Sequence, residues 1–255
     1  MLIAVTRPVS ASLAQCELTH LARAPIDVAR ATAQHAAYEM MLGSLGATVV
    51  HVAAADELPD AVFIEDVALV LDENAVLTRP GAPSRRGETR AVAPVLARYR
   101  PVQAMTAPAT LDGGDVLRLG RTLYVGRSGR TNDPGIEQLR GFVTPFGYRV
   151  VPVEFTGCLH LKSAVTELAD GALLLNPAWV AAAAFAPREA VAVDAREPYA
   201  ANALNVAGTV VFPAEFPRTR DRLAARGLTV ASVECGELAK AEGAVTCCSL
   251  VFEAA

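Results

Sequence analysis

The stretch LDGGDVLRLGRTLYVGRSGRTND, residues 111–133, decides the fold. It begins with a polar cluster, Asp112 to Asp115, and continues with a short apolar run and a Gly-Arg turn. A second apolar run follows, and then a corner rich in glycine and arginine. Two apolar runs that flank such a turn are typical of a β-hairpin.

The same plan recurs at residues 64–88, 159–180 and 199–221, and helical patterns such as GIEQLRGFV and TRDRLAARG follow three of the four copies. A fifth copy is divided between the two ends of the chain. EGAVTCCSLVF (242–252) supplies its polar cluster and first strand, and MLIAVTRPVS (1–10) supplies its second strand and corner. A period of roughly 42 to 48 residues indicates a repeat architecture. Pairing of the two terminal strands would close a ring, which removes exposed sheet edges as in propellers.

We therefore predict an α/β fold of hairpin-plus-helix modules in a single catalytic domain, residues 1–255, because no linker or shift in composition marks a boundary. The alanine-rich stretch WVAAAAFAPREA (179–190) predicts a short helix that Pro187 helps to end.

Composition narrows the class of protein. The chain has 255 residues, 52% of them hydrophobic, which is enough to bury a sizeable core. A net charge of −4 argues against nucleic-acid binding through bulk electrostatics. The N-terminus does not read as a signal peptide, and no apolar run approaches the roughly 18 residues of a membrane span. Five cysteines without CxxC spacing predict a reduced, cytoplasmic compartment.

A ring of repeats would bring equivalent positions close to its axis. The residues at the start of the first strand of each copy are Glu65 with Asp66, Asp112, His160, Asn202 and Cys247. Cysteine, histidine and carboxylate are the parts of a nucleophilic triad, in which a thiolate attacks, an imidazole moves protons and an acid orients the imidazole.

Two adjacent cysteines compete for the role of nucleophile. Side chains alternate along a strand, so we expect Cys247 to face the axis and Cys248 to pack on the opposite side. Three alternatives stay open: two buried apolar cysteines, a strained disulfide between neighbours, and a zinc site of His160, Cys247 and Asp112. The ligand spacing of a structural zinc motif is missing.

The acid pair Glu65 and Asp66 narrows the substrate, because buried carboxylates are costly unless they meet a cation. A guanidinium is positive and planar, and its central carbon is open to a thiolate. The arginine-bearing corners APSRRGE and GRSGRTND could hold an opposite charge, such as the carboxylate of an amino acid.

The motifs FIEDVALV, LDGGDVL, GRSGRTND, LHLKSAVT and TCCSL together resemble the dimethylarginine dimethylaminohydrolases, members of the guanidino-group-modifying (pentein) superfamily. The resemblance implies a five-bladed α/β-propeller. It also implies hydrolysis of asymmetric dimethylarginine and monomethylarginine to citrulline and dimethylamine or methylamine, through a covalent cysteine S-alkylthiouronium. It implies no metal and no organic cofactor.

The resemblance also assigns roles. Cys247 is the implied nucleophile, His160 the general acid and base, and Asp112 the acid that orients it, with Asp115 as a competitor for that role. The implied substrate-binding residues are Leu18, Asp60, Glu65, Asp66, Arg85 and Arg130. Where the related deiminases have an acid two residues after the histidine, this chain has Lys162, which favours methylated substrates.

We expect a small-molecule substrate, no nucleic acid and no membrane as partners, and a monomer or homodimer. The alternatives are an arginine deiminase-like hydrolase of another guanidine and a non-enzymatic five-bladed binding protein.

Overall fold

The structure, a computed structural model, describes residues 1–254. It consists of repeated β-hairpins, each extended by a third strand. The strands are β1 (Leu2–Thr6), β2 (Thr48–His51), β3 (Ala68–Val70), β4 (Ala75–Leu77), β5 (Val102–Ala104), β6 (Val116–Leu119), β7 (Thr122–Arg127), β8 (Arg149–Glu154), β9 (Val165–Glu167), β10 (Leu173–Leu175), β11 (Ala190–Ala192), β12 (Leu204–Val206), β13 (Thr209–Pro213), β14 (Val230–Val233) and β15 (Leu250–Glu253).

These strands form five sheets of three, in the orders β15-β1-β2, β3-β4-β5, β6-β7-β8, β9-β10-β11 and β12-β13-β14. In every sheet the first two strands are antiparallel and the third is parallel to the second. A parallel neighbour needs a crossover connection, which explains why a longer segment always precedes the third strand. The fold is therefore α/β and repeats one module.

The two ends of the chain complete one of the five sheets, as predicted. β1 pairs antiparallel with β15, with Leu2 opposite Glu253 and Val5 opposite Leu250. Within the described residues each sheet remains a separate unit of three strands, and none closes on itself.

The third strands are features that the sequence did not indicate. β2, β5 and β11 have only three or four residues, and their side chains are mostly half-buried or exposed. Such short edge strands carry no clear alternation of apolar and polar residues, so the periodicity that marks a strand is missing.

The helices are α1 (Val28–Ser44), α2 (Thr89–Leu96), α3 (Asp133–Val143), α4 (Leu161–Ala164), α5 (Pro217–Ala225) and α6 (Gly236–Ala239). α3 and α5 lie where the sequence predicts them. The side chain of Asn132 caps α3 by accepting a hydrogen bond from the backbone of Gly135. The predicted alanine-rich helix is wrong, because that stretch forms only a 3₁₀ turn, Ala182–Phe185, before β11. Alanine alone does not stabilise so short a helix in water.

The first strands of all five sheets, β3, β6, β9, β12 and β15, line one cavity of about 460 Å³, the strand-lined cavity. The loops that lead into these strands therefore meet at one place, where the functional site lies. None of the helices in residues 1–254 has both the length and the apolar character needed to cross a membrane.

Candidate active site

Residues at the entrance to the first strands meet in one cluster. Backbone hydrogen bonds connect the parts of this cluster, since the amide of Glu65 donates to the carbonyl of Cys247 at 3.1 Å. The side chain of Asn202 accepts from the amide of Thr246 at 3.0 Å, next to the cysteine. The structure therefore brings the polar ends of the repeats together around Cys247.

His160 lies between two carboxylates. It immediately precedes α4, and its Nε2 atom is 3.0 Å from Oδ2 of Asp112. Its Nδ1 atom faces Oδ1 of Asp66 at 3.6 Å. The imidazole ring is held in this place by close packing, because a Cβ atom at Gly114 would come within 2.6 Å of Nδ1. Only glycine fits there, which explains the Gly-Gly pair in the sequence motif.

The two carboxylates make the imidazole basic. Burial alone would lower the pKa of His160, but the charge of Asp66 and the hydrogen bond that the ring donates to Asp112 outweigh burial and raise the pKa to about 9. At neutral pH the ring is therefore an imidazolium, able to donate a proton.

Asp112 and Asp115 hold different parts of the site. Asp112 contacts the imidazole, and its other oxygen accepts from the amide of Gly81 at 2.9 Å. Asp115 accepts from the hydroxyls of Ser128 and Thr131 and from the amide of Leu161 at 3.0 Å. Asp112 has the geometry of an acid that orients His160, whereas Asp115 joins the surrounding loops.

Cys247 and Cys248 lie in a turn before β15, not in a strand, so the predicted reason for choosing between them is wrong. The loop is turned because the amide of Cys247 bonds to the carbonyl of Ala244 at 3.1 Å. Cys247 nevertheless shares a small cavity with His160, Asp66 and Arg130, the cysteine cavity. Cys248 is buried and directs its sulfur toward the carbonyl of Ala244.

The sulfur of Cys247 is a thiol in the free protein. Burial, together with the charges of Glu65 and Asp66, raises its pKa to about 12. Both causes act against the thiolate form, which is the nucleophile. A cation bound beside the sulfur would reverse the effect of the carboxylates.

We expect Cys247 in the free protein to react slowly with iodoacetamide at pH 7 and to react faster as the pH rises. Below a pKa of about 12 the thiolate fraction increases ten-fold per pH unit, so the alkylation rate should rise about 100-fold between pH 7 and pH 9. Mass spectrometry of the labelled peptide measures the rate, with Cys247→Ser as the control. A plateau near pH 7 would contradict a thiol ground state.

Asp66 and Arg85 are partners of one another. Nη1 of Arg85 is 2.6 Å from Oδ2 of Asp66, and the same guanidinium bonds to both oxygens of Glu88 and to the carbonyls of Asp60 and Phe63. Although burial opposes it, the charges of His160 and Arg85 lower the pKa of Asp66 to about 2. The expected contacts of Asp66 with the guanidinium of the substrate and of Arg85 with the carboxylate of the substrate stay predictions.

Glu65 has its own cation as well. Nζ of Lys162 lies 2.5 Å from its Oε1 atom, and the hydroxyl of Thr246 donates to Oε2 at 2.8 Å. Both Glu65 and Lys162 line the strand-lined cavity. Burial raises the pKa of Glu65, and Lys162 opposes this rise. Lys162 therefore supplies a positive charge to an acid for which the sequence analysis expected the substrate as the cation.

Arg130 keeps a donor for a ligand. Its Nη1 atom is buried, and within residues 1–254 no acceptor forms a hydrogen bond with it. The nearest charge is Oδ2 of Asp112 at 3.7 Å, while Nη2 donates to the hydroxyl of Thr19 at 3.3 Å. A buried donor without a partner is costly, so this atom points to a site for an anion.

Residues 17–21, the 17–21 loop, border the cysteine cavity through Glu17, while His20 and Leu21 line a neighbouring cavity that Glu242 shares. Leu18 is half-buried in this loop and packs on the apolar cluster that contains Cys247. The carboxylate of Asp60 accepts from the amide of Glu17 at 3.1 Å. Burial raises the pKa of Asp60. The sequence analysis missed Glu242, whose carboxylate accepts from the backbone of the same loop. Its only signal was its place in the polar cluster of the fifth repeat.

A metal could in principle use Asp66, Asp112 and His160, whose ligand atoms lie within 4.8 Å of one another. The carboxylates already bind Arg85, Gly81 and the imidazole. A metal needs a neutral imidazole, and the pKa of about 9 favours the protonated ring. These groups fit proton transfer better than metal binding.

The chain is similar to known enzymes over almost its whole length. The chain is 41% identical over 97% of its length to an N(G),N(G)-dimethylarginine dimethylaminohydrolase of Streptomyces coelicolor, of which it covers 95%. A structure of the Pseudomonas aeruginosa enzyme, a cysteine-to-serine variant complexed with citrulline, is 33% identical with a TM-score of 0.93, and 98% of each chain is covered. A dimethylarginine dimethylaminohydrolase with a histidine-to-glycine change, an adduct with S-methyl-L-thiocitrulline, also gives a TM-score of 0.93 at 33% identity, covering 99% of this chain and 100% of the other. No family model matches the chain.

A cysteine and an imidazolium that share a cavity, with a carboxylate held against the imidazolium, are the groups of a hydrolase with a cysteine nucleophile. The identity and coverage to the curated relatives make the particular family clear. The chain belongs to the dimethylarginine dimethylaminohydrolase family and is an enzyme of that type.

Proposed function

We propose that this enzyme hydrolyses Nω-methylated arginine to citrulline and methylamine or dimethylamine, with Cys247 as nucleophile. One observation carries the proposal: a protonated His160, fixed by Asp112, shares a cavity with the buried thiol of Cys247. The P. aeruginosa relative that binds citrulline supports the same product.

The reaction begins when the substrate cation enters beside Cys247. Its positive charge offsets Glu65 and Asp66, the thiol loses its proton to solvent, and the thiolate attacks the guanidinium carbon. The imidazolium of His160 then donates its proton to the methylated nitrogen, the C–N bond breaks, and the amine leaves. An S-alkylthiouronium on Cys247 remains.

The second half of the reaction uses the same histidine. The neutral imidazole takes a proton from water, the resulting hydroxide attacks the same carbon, and the carbon–sulfur bond breaks. The hydroxyl of the intermediate loses its proton as the C=O bond forms, and the departing sulfur of Cys247 takes up a proton and becomes the thiol again. Citrulline departs, and His160 is again protonated. Asp112 keeps the ring oriented through both steps.

The amino-acid end of the substrate belongs on the opposite side of the cavity. The unpaired Nη1 of Arg130 supports a contact with the α-carboxylate. Asp60 lines the cysteine cavity and binds the amide of Glu17 next to Leu18, so this side of the cavity suits the α-amino group. Arg85 has its donors occupied by Asp66 and Glu88, so its part is to hold the charge of Asp66 beside His160.

We also propose that the five sheets are the blades of a five-bladed α/β-propeller and that residues 1–255 act as one domain. The strand-lined cavity, to which all five sheets contribute their first strand, supports this arrangement. The terminal strands support it too, since their pairing joins the ends of the chain in one sheet. Five free cysteines suit a reduced compartment such as the cytoplasm, where a monomer or homodimer would act.

Substrate preference tests the proposal. Lys162 already donates a hydrogen bond to Glu65, and Arg85 donates one to an oxygen of Asp66, so these acceptor oxygens are in use. The unmodified guanidinium of arginine would therefore leave N–H donors without acceptors, at a cost of about 1–3 kcal/mol. Methyl groups have no such requirement. We expect kcat/KM for asymmetric dimethylarginine or monomethylarginine to exceed that for arginine by at least about ten-fold.

Citrulline assays on methylated and plain arginine with one enzyme preparation measure this ratio, and analysis of the released amine identifies the reaction. Release of ammonia from arginine at equal or higher kcat/KM would overturn the assignment and favour a deiminase. If none of these substrates yields citrulline, the remaining alternative is a non-enzymatic binding protein.

A further inference from the structure

One carboxylate connects the C-terminal part of the site to the 17–21 loop. Glu242 accepts hydrogen bonds from three successive backbone amides, those of Thr19 at 3.0 Å, His20 at 2.5 Å and Leu21 at 2.6 Å. Three N–H groups that converge on a single carboxylate form an anion-binding nest, and charged hydrogen bonds of this kind are stronger than neutral ones.

The backbone of Glu242 is itself unusual. Its φ angle is +60°, in the left-handed region that glycine favours. An L-residue with a Cβ atom is destabilised there, and such residues persist where the surroundings or the function require them. A glycine would fit the backbone better, so the side chain of Glu242 has a purpose that outweighs the strain.

The position of Glu242 couples it to the chemistry. Ala241, Glu242 and Gly243 line the cysteine cavity together with His160 and Cys247. This segment is tightly fixed, because a Cβ atom at Gly243 would come within 2.1 Å of the ring of Phe63. A carboxylate anchored on this closely packed segment can hold the 17–21 loop in a defined place.

The other contacts of the loop involve Glu17, Leu18 and one side chain of Thr19. Asp60 binds the amide of Glu17, Ser84 donates to the carboxylate of Glu17, Leu18 packs on the apolar cluster, and Arg130 donates to the hydroxyl of Thr19. The stretch from Thr19 to Leu21 therefore depends mainly on Glu242 for its backbone hydrogen bonds.

We propose that Glu242 is a positioning residue that latches the 17–21 loop at the edge of the cysteine cavity and thereby sets the affinity for substrate. This inference rests on the proposed function for the kinetic part only, since the hydrogen bonds are present in the free protein. The latch orders the loop before substrate arrives, so binding does not have to supply that ordering. Glu242 touches no reacting atom, so its removal should change KM far more than kcat.

Three variants separate a latch from a merely structural residue. Glu242→Gly removes the carboxylate and also relieves the positive φ, so the melting temperature should stay equal or rise while the loop loosens. Glu242→Ala removes the carboxylate and keeps the strain. Glu242→Gln keeps one acceptor oxygen for His20 and Leu21 but turns a donor toward the amide of Thr19, so its effects should be intermediate. Glu234→Ala is the matched control, because Glu234 forms an exposed ion pair with Arg30.

Hydrogen–deuterium exchange of the peptide that contains residues 17–23 is the direct measurement. We expect exchange in Glu242→Gly and Glu242→Ala to be at least about ten-fold faster than in the unmodified protein, because the opening free energy of the loop falls. Exchange in α3 should not change. KM for methylated arginine should rise at least about five-fold with kcat within about three-fold, and Glu234→Ala should match the unmodified protein.

Unchanged exchange of residues 17–23 in both variants would overturn the latch. A fall in kcat at constant KM would overturn it as well, because that result belongs to a residue acting in the chemical step. If the unmodified protein does not turn over methylated arginine, the proposed function fails, and the exchange measurement still decides whether Glu242 holds the loop. A low yield of Glu242→Ala leaves Glu242→Gly and Glu242→Gln to carry the test.

Discussion

Cys247→Ser is expected to lower kcat for methylated arginine by at least about a thousand-fold, to the limit of detection. A hydroxyl has a far higher pKa than a thiol, so a substrate cation cannot ionise it at neutral pH. Serine has nearly the same shape as cysteine, and the turn that holds residue 247 depends on backbone hydrogen bonds to Ala244 and Glu65. The variant should therefore fold and still bind substrate, which calorimetric titration with citrulline can measure.

Cys248→Ser is the matched control, one residue away and equally conservative. Cys248 is 1% exposed and packs in the apolar cluster behind the site, so its replacement should cost some stability and leave most activity. Steady-state citrulline formation by both variants, with melting curves to detect partial unfolding, decides between the two cysteines. If Cys248→Ser is the inactive one, the nucleophile has been assigned to the wrong residue.

His160→Gly is expected to lower kcat by at least about a thousand-fold, because one residue serves as the acid of the first step and the base of the second. The loss should depend on the leaving group. S-methyl-L-thiocitrulline releases a thiol, which needs less help from an acid than an amine does. It should still alkylate Cys247 in this variant and then remain attached, because no base activates water. Intact-mass spectrometry detects the adduct.

Two substitutions in the neighbouring acids serve as comparisons. Asp112→Asn should reduce kcat less than His160→Gly, since the ring remains but loses the carboxylate 3.0 Å from Nε2. Asp115→Asn removes a carboxylate that binds Ser128, Thr131 and the amide of Leu161, so stability should fall more than kcat. A larger loss of kcat in Asp115→Asn than in Asp112→Asn would transfer the orienting role to Asp115.

The free-protein pKa values add a condition to this mechanism. His160 keeps its proton below a pKa of about 9, so the acid form is present at neutral pH and is lost as the pH rises through 9. Cys247 is protonated throughout that range. The reactive pair of thiolate and imidazolium therefore depends on the charge of the substrate.

The amino-acid sequence by itself was enough to predict the repeated module of this protein. Recurrent hairpins, a module divided between the two ends and the polar residues before each first strand are local patterns, and turn residues and apolar runs report them without any knowledge of packing. Pairing of β1 with β15 followed from the divided module. The same patterns identified His160, Asp112 and Cys247 as neighbours, because equivalent positions of repeats approach one another.

Only the tertiary structure decided which charge meets which. Arg85 binds Asp66, Lys162 binds Glu65, and Glu242 binds the backbone of the 17–21 loop, although the partners of Lys162 and Glu242 lie 97 and more than 200 positions away in the chain. A sequence shows which residues carry charge, but the partner of each depends on side-chain directions and on loops that have no periodicity. The turn at Cys247 and the short third strands were hidden for the same reason, since close packing and edge pairing set their conformation rather than local sequence preference.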